Sequence, residues 1–173
     1  LIALIIFFIA KSPSFRQYST ILSIMDYTYY LAFLGIGVTF CLITGGVDLS
    51  IGTGMFCYAL IGGYLITQKG APVIVGILVT LLCGLVMGTV NGLIVSKGGH
   101  APFLATLCTM MIVRGMGAIF TGGSSITWPA ASAPNGWTRT LFKLTVGDTK
   151  LPLGFLWVLL LALFLGTFLN KTR

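Results

Sequence analysis

Residues 73–95 of the chain read VIVGILVTLLCGLVMGTVNGLIV. These 23 residues contain no charged side chain. An α-helix rises about 1.5 Å per residue, so roughly 20 residues cross the ~30 Å hydrocarbon core of a bilayer. The segment is therefore long enough and apolar enough to be a transmembrane helix.

Similar apolar segments recur on both sides of this stretch. The chain has 173 residues, of which 57% are hydrophobic and 8% charged, and its mean hydropathy is +1.04. Globular domains carry about 25% charged residues, so this chain has too few to cover a water-exposed surface. We predict an all-α integral membrane protein, with a single transmembrane domain of about six spans over residues 1–173. The predicted spans are residues 1–10, 27–43, 51–67, 73–95, 102–121 and 153–170.

The two ends of the chain lie in or beside apolar runs. The first run begins at Leu1, and the last ends shortly before Arg173. We therefore expect the chain to be a fragment of a longer protein. A signal peptide is the alternative for residues 1–10, but no small-x-small cleavage pattern follows them, which favours a truncated first span.

The net charge of +7 does not predict a nucleic-acid partner. The basic residues are spread over short connections without a run, as is typical of charges that flank membrane spans. The four cysteines lie in apolar stretches without a Cys-x-x-Cys pair, and the single His100 has no potential ligand beside it. We predict no metal site and no cofactor.

Residues 122–152 form the longest connection between predicted spans. Their Ser, Pro, Gly, Trp and Lys content places them in water or at the membrane interface. Trp137, Leu141 and Leu144 follow helical spacing, which predicts a short interfacial helix within residues 137–146. A strand is the alternative for this segment.

Small residues recur every fourth position in the span at 73–95. They are Gly76, Thr80, Gly84, Gly88 and Gly92. This spacing places them along one stripe of the helix, where they allow the backbones of two helices to approach closely in lipid. We expect this stripe to pack against another helix, and a flexible gating helix is the competing interpretation.

The segment TGGVDLSIG, residues 44–52, separates two predicted spans. Gly45 and Gly46 favour the end of one helix, and Asp48 or Ser50 can cap the next. Transporters place such breaks where irregular backbone lines a cavity. A plain capped turn at the membrane surface is the alternative.

Three charged residues lie in or near the predicted spans, and intramembrane charges are usually functional. Asp26 precedes the second span and can face water or cap the helix. Arg114 lies in the middle of the fifth span, between apolar turns. Because Asp48 and Arg114 each lack an evident intramembrane partner, we hypothesise that they form an ion pair.

The TGGVDLSIG segment resembles the signature of permease subunits of ATP-binding-cassette importers for monosaccharides. This is the ribose, galactose and arabinose group, which also includes autoinducer-2 uptake permeases. The segments GTVNGLIVSK at 88–97 and APFLATL at 101–107 agree with the same family in order and spacing. So do Arg114-Gly115 and Thr121-Gly-Gly123. The resemblance covers nearly the whole chain, and Cys108 departs from the small residue, commonly Gly, expected at its position.

The resemblance implies the N-terminal half of a roughly ten-helix permease that forms the path for a monosaccharide or a similar small polyol-like solute. It implies a second permease copy, as a homodimer or heterodimer, a cytoplasmic ATP-binding subunit and an extracytoplasmic sugar-binding protein. The location implied is the bacterial plasma (inner) membrane, in contact with lipid. Because no Gly-x-x-x-x-Gly-Lys-[Ser/Thr] segment is present, ATP hydrolysis is expected on the separate subunit and no catalytic residue is predicted here. The candidate translocation or structural residues are Gly45, Gly46, Asp48, Ser50, Asn91 and Arg114.

The orientation predicted from charge differs from the orientation that the resemblance implies. With six spans, the side of residues 122–152 carries more basic residues, which places that side in the cytoplasm by the positive-inside rule. The residues on that side are Lys11, Arg16, Lys69, Arg139, Lys143 and Lys150, against Lys97, Lys171 and Arg173 on the other. The resemblance implies cytoplasmic termini and an extracytoplasmic loop at 122–152, and we adopt this second orientation.

The main alternative function is an ion- or proton-coupled secondary transporter or channel that uses Asp48. An intramembrane aspartyl protease is disfavoured, because the sequence has Asp26-Tyr27 in place of Tyr-Asp and Val47 in place of Gly before Asp48. A purely structural membrane subunit is a further alternative.

Overall fold

The computed structural model describes residues 2–133, 135–146 and 149–171. A short 3-10 helix, Pro13–Arg16, separates the first two α-helices, and two strands, β1 (Lys143–Val146) and β2 (Thr149–Pro152), lie between the last two. The α-helices are α1 (Ile2–Lys11), α2 (Tyr18–Ile43), α3 (Ser50–Thr67), α4 (Val73–Ser96), α5 (Pro102–Thr121), α6 (Trp137–Phe142) and α7 (Gly154–Lys171).

Five helices in the described part of the chain are long and apolar enough to cross a membrane: α2, α3, α4, α5 and α7. The all-α membrane fold is therefore confirmed. The first predicted span, residues 1–10, corresponds to α1, which has 10 residues. A helix of that length extends about 15 Å, half of a bilayer core, so the described residues hold five helices of sufficient length and this shorter one.

Helix α2 begins at Tyr18, well before the predicted start at residue 27. No Gly or Pro interrupts the added turns. The hydroxyl of Ser23 donates to the carbonyl of Ser19 at 2.9 Å, and that of Thr28 donates to the carbonyl of Ile24 at 2.7 Å. Because these polar side chains are satisfied by the helix's own backbone, the helix continues through them. Asp26, expected before the span, consequently lies inside α2.

The chain forms two compact units, of which one comprises Leu34–Trp137. In this unit α3 packs against both α4 and α5. A Cβ added to Gly62 of α3 would lie 2.6 Å from the carbonyl oxygen of Gly76 on α4, so only glycine permits this approach of the two backbones. Trp128, which follows α5, donates from Nε1 to the carbonyl oxygen of Ala59 on α3 at 2.9 Å.

The interior of this unit is small and partly polar. Its buried side chains are Cys57, Ile66, Val73, Ala105 and Val113, together with the polar Ser50, Asn91, Thr106 and Thr109. Large apolar side chains lie outside it instead: Leu81, Leu85 and Ile119 are 64%, 67% and 81% exposed. Such a surface matches lipid or further apolar helices and does not match water.

The other unit contains the described residues before Leu34 and after Trp137. Tyr29 on α2 stacks on Phe142 with ring centroids 6.2 Å apart and meets Phe155 edge-on at 6.1 Å. Lys143 forms an ion pair and hydrogen bond with Asp26. These contacts join α2 to the segment that leads into α7.

For residues 137–146 the sequence left a short helix and a strand as alternatives, and the structure contains both. Trp137–Phe142 is the short helix α6, and Lys143–Val146 is strand β1. Strand β1 pairs antiparallel with β2, with Lys143 opposite Pro152 and Val146 opposite Thr149. This hairpin is a small addition to an otherwise helical chain.

Candidate functional site

The glycine pair ends α2 by a defined hydrogen-bond pattern. The N–H of Gly45 donates to the carbonyl of Leu42 at 3.0 Å, and the N–H of Gly46 donates to the carbonyl of Cys41 at 3.1 Å. Gly45 has φ of 76°, in the left-handed region that glycine adopts without a steric penalty. This is a Schellman cap, and it turns the chain between α2 and α3.

A hydrogen-bonded relay begins immediately after this turn. Asp48 Oδ1 accepts from the backbone N–H of Ser50 at 2.7 Å and from the Ser50 hydroxyl at 2.6 Å. The Ser50 oxygen in turn accepts from Asn91 Nδ2 at 2.9 Å. Ser50 and Asn91 are each 6% exposed, so the relay joins the start of α3 to α4 inside the unit.

Thr106 connects the same turn to α5. Its hydroxyl oxygen accepts from the N–H of Leu49 at 3.2 Å, while the hydroxyl donates to the carbonyl of Pro102 at 2.8 Å. Thr106 is 3% exposed. The residue lies in the APFLATL block, but no pattern in that block predicts a contact with the turn at 44–50.

A cavity of about 290 Å³ lies where the turn, α4 and α5 meet. Asp48, Asn91 and Thr106 contribute its polar wall. The lining is completed by Cys41, Thr44, Gly46, Val47, Gly88, Gly92, Val95 and Pro102. The break between α2 and α3 therefore borders a cavity. Of its two interpretations, irregular backbone that lines a cavity and a plain capped turn, the first predicts this arrangement.

Asn91 leaves one buried atom unsatisfied. Its Oδ1 is the one buried side-chain polar atom without a hydrogen-bond partner in the part of the chain that the structure describes. A buried acceptor without a partner costs about 1–3 kcal/mol, and native structures usually satisfy it with protein, water or ligand. We therefore expect a hydrogen-bond donor, from water or from a ligand, next to this oxygen.

Arg114 does not form the hypothesised ion pair with Asp48. Asp48 lines the cavity beside the α2–α3 turn, whereas Arg114 lines a separate cavity of about 530 Å³ with Thr53, Thr121 and other residues of α3 and α5. The ion pair that Asp26 forms with Lys143 involves neither of these two residues. The pairing hypothesis is wrong because Asp48 is held by Ser50, on its own side of the turn.

The small-residue stripe of α4 divides into two parts. Gly76 meets Ile66 of α3 closely, and the Thr80 hydroxyl lies 3.2 Å from the carbonyl oxygen of Tyr58. A Cβ at Gly84 would make ordinary contact with Tyr58 at 3.7 Å, but at Gly88 or Gly92 it would meet nothing within 4 Å. The last two glycines instead line the cavity beside Asn91.

Comparison with protein families places this arrangement in a known context. The family described as "Branched-chain amino acid transport system / permease component" matches residues 20–173. The match includes the α2–α3 turn and the cavities that Asp48 and Arg114 line. It also includes the five long helices, except for the first two residues of α2. No solved structure matches the chain.

Several curated relatives are named as sugar import permeases. The ribose import permease proteins of Haemophilus influenzae and Bacillus subtilis are each 35% identical, over 67% and 73% of this chain. The galactose/methyl galactoside import permease protein of Haemophilus influenzae is 30% identical over 95% of this chain. These matches cover 36%, 39% and 52% of the relatives, so the chain spans about a third to a half of their length.

Proposed function

We infer the function from the family to which the chain belongs, the permease components of branched-chain amino acid transport systems and their sugar-transporting relatives. The chain is a multi-pass membrane protein of this family. It forms the N-terminal part of the membrane path of an ATP-driven importer. The solute is a monosaccharide or a similar small polyol-like molecule.

The family match over residues 20–173 is the observation that carries this proposal. The relatives described above are named for ribose and galactose, and a further one, from Bifidobacterium longum, is named for fructose. A monosaccharide is therefore preferred to an amino acid, which the family description also includes. The match likewise favours an importer over a secondary transporter or channel that uses Asp48.

The importer needs subunits that this chain does not supply. A cytoplasmic ATP-binding subunit hydrolyses ATP, as in other ATP-driven importers of this family. An extracytoplasmic sugar-binding protein delivers the solute, and a second permease copy, identical or related, completes the path. The exposed apolar side chains of α4 and α5 then contact lipid and other helices, in a bacterial plasma (inner) membrane.

Residues 122–152 face the extracytoplasmic side in this proposal. The α2–α3 turn, the end of α4 and the start of α5 then lie toward the cytoplasmic side. Gly45, Gly46, Asp48, Ser50 and Asn91 form the wall of the path at this level. Arg114 lines the path at a separate level, in the cavity between α3 and α5.

Transport by the full-length protein tests the proposal. The permease, its ATP-binding subunit and its binding protein are reconstituted in proteoliposomes, and uptake of radiolabelled D-ribose, D-galactose, D-fructose and L-leucine is measured. We expect uptake of one sugar that requires ATP and is lost when the phosphate-binding lysine of the ATP-binding subunit is replaced. Leucine uptake alone would contradict the sugar assignment. Uptake that a protonophore abolishes and that continues without ATP would establish the secondary transporter instead.

A further inference from the structure

The cavity beside the α2–α3 turn holds two oxygen acceptors without a donor. Asn91 Oδ1 is buried and has no partner. Asp48 uses Oδ1 for both bonds to Ser50, and no residue in the described ranges donates to its Oδ2. Both residues line the cavity.

The relay determines which end of the Asn91 amide remains unpaired. A serine hydroxyl has one hydrogen, and Ser50 donates it to Asp48. The Ser50 oxygen can then only accept, so the amide must present Nδ2 to it, at 2.9 Å. A rotated amide would place two acceptors face to face. Asn91 Oδ1 is therefore the unpaired atom of the amide.

The turn also has backbone N–H groups without an acceptor among the described residues, at two residues that line the same cavity. The N–H groups of Val47 and Asp48 donate no hydrogen bond to the residues that the structure describes, whereas those of Leu49 and Ser50 are paired. Acceptors alone would suit a cation. Acceptors next to free N–H groups suit a hydroxyl group, which both donates and accepts.

The charges of the lining residues disfavour an anionic ligand. The lining contains Asp48 and no Lys, Arg or His. An anionic ligand would face a carboxylate without a compensating cation, which is unfavourable in a membrane interior. The cavity volume of about 290 Å³ is just below the range of typical ligand pockets, roughly 300–1,000 Å³, and therefore suits a small solute.

We propose that this cavity is a hydroxyl-binding subsite for the transported solute, in which Asn91 Oδ1 and Asp48 Oδ2 accept from neighbouring hydroxyl groups. The proposal rests on the proposed importer function and adds to it the residues that contact the solute. Ser50 is a positioning residue, because it orients the Asn91 amide without reaching the unpaired oxygen.

A native cysteine allows a test that does not depend on transport. Cys41 lines the cavity, whereas Cys108 is exposed and does not. Two variants of the full-length permease, in complex with its partners, each retain one of these thiols, with the remaining cysteines changed to Ala. The alkylation rate by N-ethylmaleimide is measured with and without 100 mM of the sugar that the wild type transports. We expect at least a threefold lower rate at Cys41, an unchanged rate at Cys108, and loss of the protection in Asn91→Leu.

Uptake provides the second readout. Asn91→Leu keeps the size of the side chain but removes the acceptor, and we expect uptake to fall at least tenfold. Thr109→Val is the matched control, because Thr109 is equally buried, bonds only to carbonyls of its own helix and does not line the cavity. Its uptake should stay within twofold of the wild type.

Three results would overturn the subsite. One is wild-type uptake in Asn91→Leu, and another is unprotected Cys41 in a permease that transports the sugar; both leave the importer function intact. The third is equal protection of Cys41 by KCl or NaCl without sugar, which would identify a cation site. If Asn91→Leu fails to assemble, the variant that retains Cys41 and an unchanged Asn91 provides the test. Protection of Cys41 by the sugar then supports the subsite, and absence of protection contradicts it. Absence of ATP-driven uptake by the wild type would contradict the importer function itself.

Discussion

Asn91 Nδ2 lies 2.9 Å from Ser50 Oγ, although the two residues are 41 positions apart in the chain. The bond joins the TGGVDLSIG turn to the GTVNGLIVSK segment, so two segments that the sequence presents separately meet at one contact. Ser50 is also held by Asp48, and the three side chains form a continuous relay from the turn to α4.

Replacement of Ser50 by Ala should destabilise the protein. The change removes the bond to Asn91 and leaves its buried Nδ2 unpaired, which costs about 1–3 kcal/mol. Thermal unfolding of the full-length permease in detergent measures this loss. Ser23→Ala is the control, because Ser23 is exposed and bonds only to its own helix. Equal unfolding temperatures for the two variants would show that the relay does not contribute to stability.

Exchange of the charges of Asp48 and Arg114 should not restore a damaged protein. Asp48→Asn weakens the relay at Ser50, and Arg114→Gln removes a charge from a different cavity. The two effects on uptake should therefore be independent, and the Asp48→Arg/Arg114→Asp double variant should be at least as inactive as the worse single variant. Recovery of uptake in the double variant would require an ion pair that this structure does not contain.

Gly62→Ala should weaken the packing of α3 on α4. The added Cβ would overlap Thr80 Oγ1 and would lie 2.6 Å from the carbonyl oxygen of Gly76, so the helices must separate. Such overpacking costs about 1–3 kcal/mol. Gly115→Ala is the matched control on α5, because no atom lies within 4 Å of its added Cβ. We expect a lower unfolding temperature for Gly62→Ala alone.

Substitutions at Gly45 should follow the tolerance of each side chain for positive φ. Gly45 has φ of 76° and open space around a Cβ, so conformation and not crowding sets the effect. The left-handed region costs an ordinary L-residue roughly 1–2 kcal/mol, and Asn less. Unfolding temperatures should therefore decrease in the order Gly, Asn, Ala, Val. An alanine variant as stable as the wild type would contradict the left-handed cap.

The Asp26–Lys143 ion pair should contribute little to stability. The Lys143 side chain is 47% exposed and the Asp26 side chain 25%, so solvent screens the pair, and such pairs contribute about 0.2–1 kcal/mol. A double-mutant cycle with Asp26→Asn and Lys143→Met measures the coupling, and 0.5 M NaCl should reduce it. A coupling well above 1 kcal/mol, insensitive to salt, would show that the pair is shielded from water.

Local sequence was sufficient to locate most helices. Helices α3, α4, α5 and α7 begin and end within one residue of the predicted ranges, because apolar composition, length and flanking Gly or Pro are properties of neighbouring residues. Helix α2 was predicted too short, since Asp26 resembles a boundary in sequence. In the structure it lies inside the helix, where it pairs with Lys143, 117 positions away.

The candidate site was predicted less completely. Asp48, Ser50 and Asn91 were singled out, but as separate residues, and the partner assigned to Asp48 was wrong. Charge in the membrane suggested Arg114 as that partner, whereas the N–H and hydroxyl of Ser50, two residues away, bind one oxygen of the carboxylate. Cys41 enters the site through packing, and nothing in its neighbouring sequence predicts it.

The sequence by itself determined that this is an all-helical membrane chain with a glycine-rich turn at residues 44–52. Hydrophobicity, helix length and the left-handed preference of glycine act within a few residues, so they can be read along the chain. Only the tertiary structure decided that Ser50 meets Asn91, that Asp48 and Arg114 stay apart, and that Gly88 and Gly92 border a cavity. These outcomes depend on how α3, α4 and α5 pack, because packing selects contacts between residues that are distant in sequence.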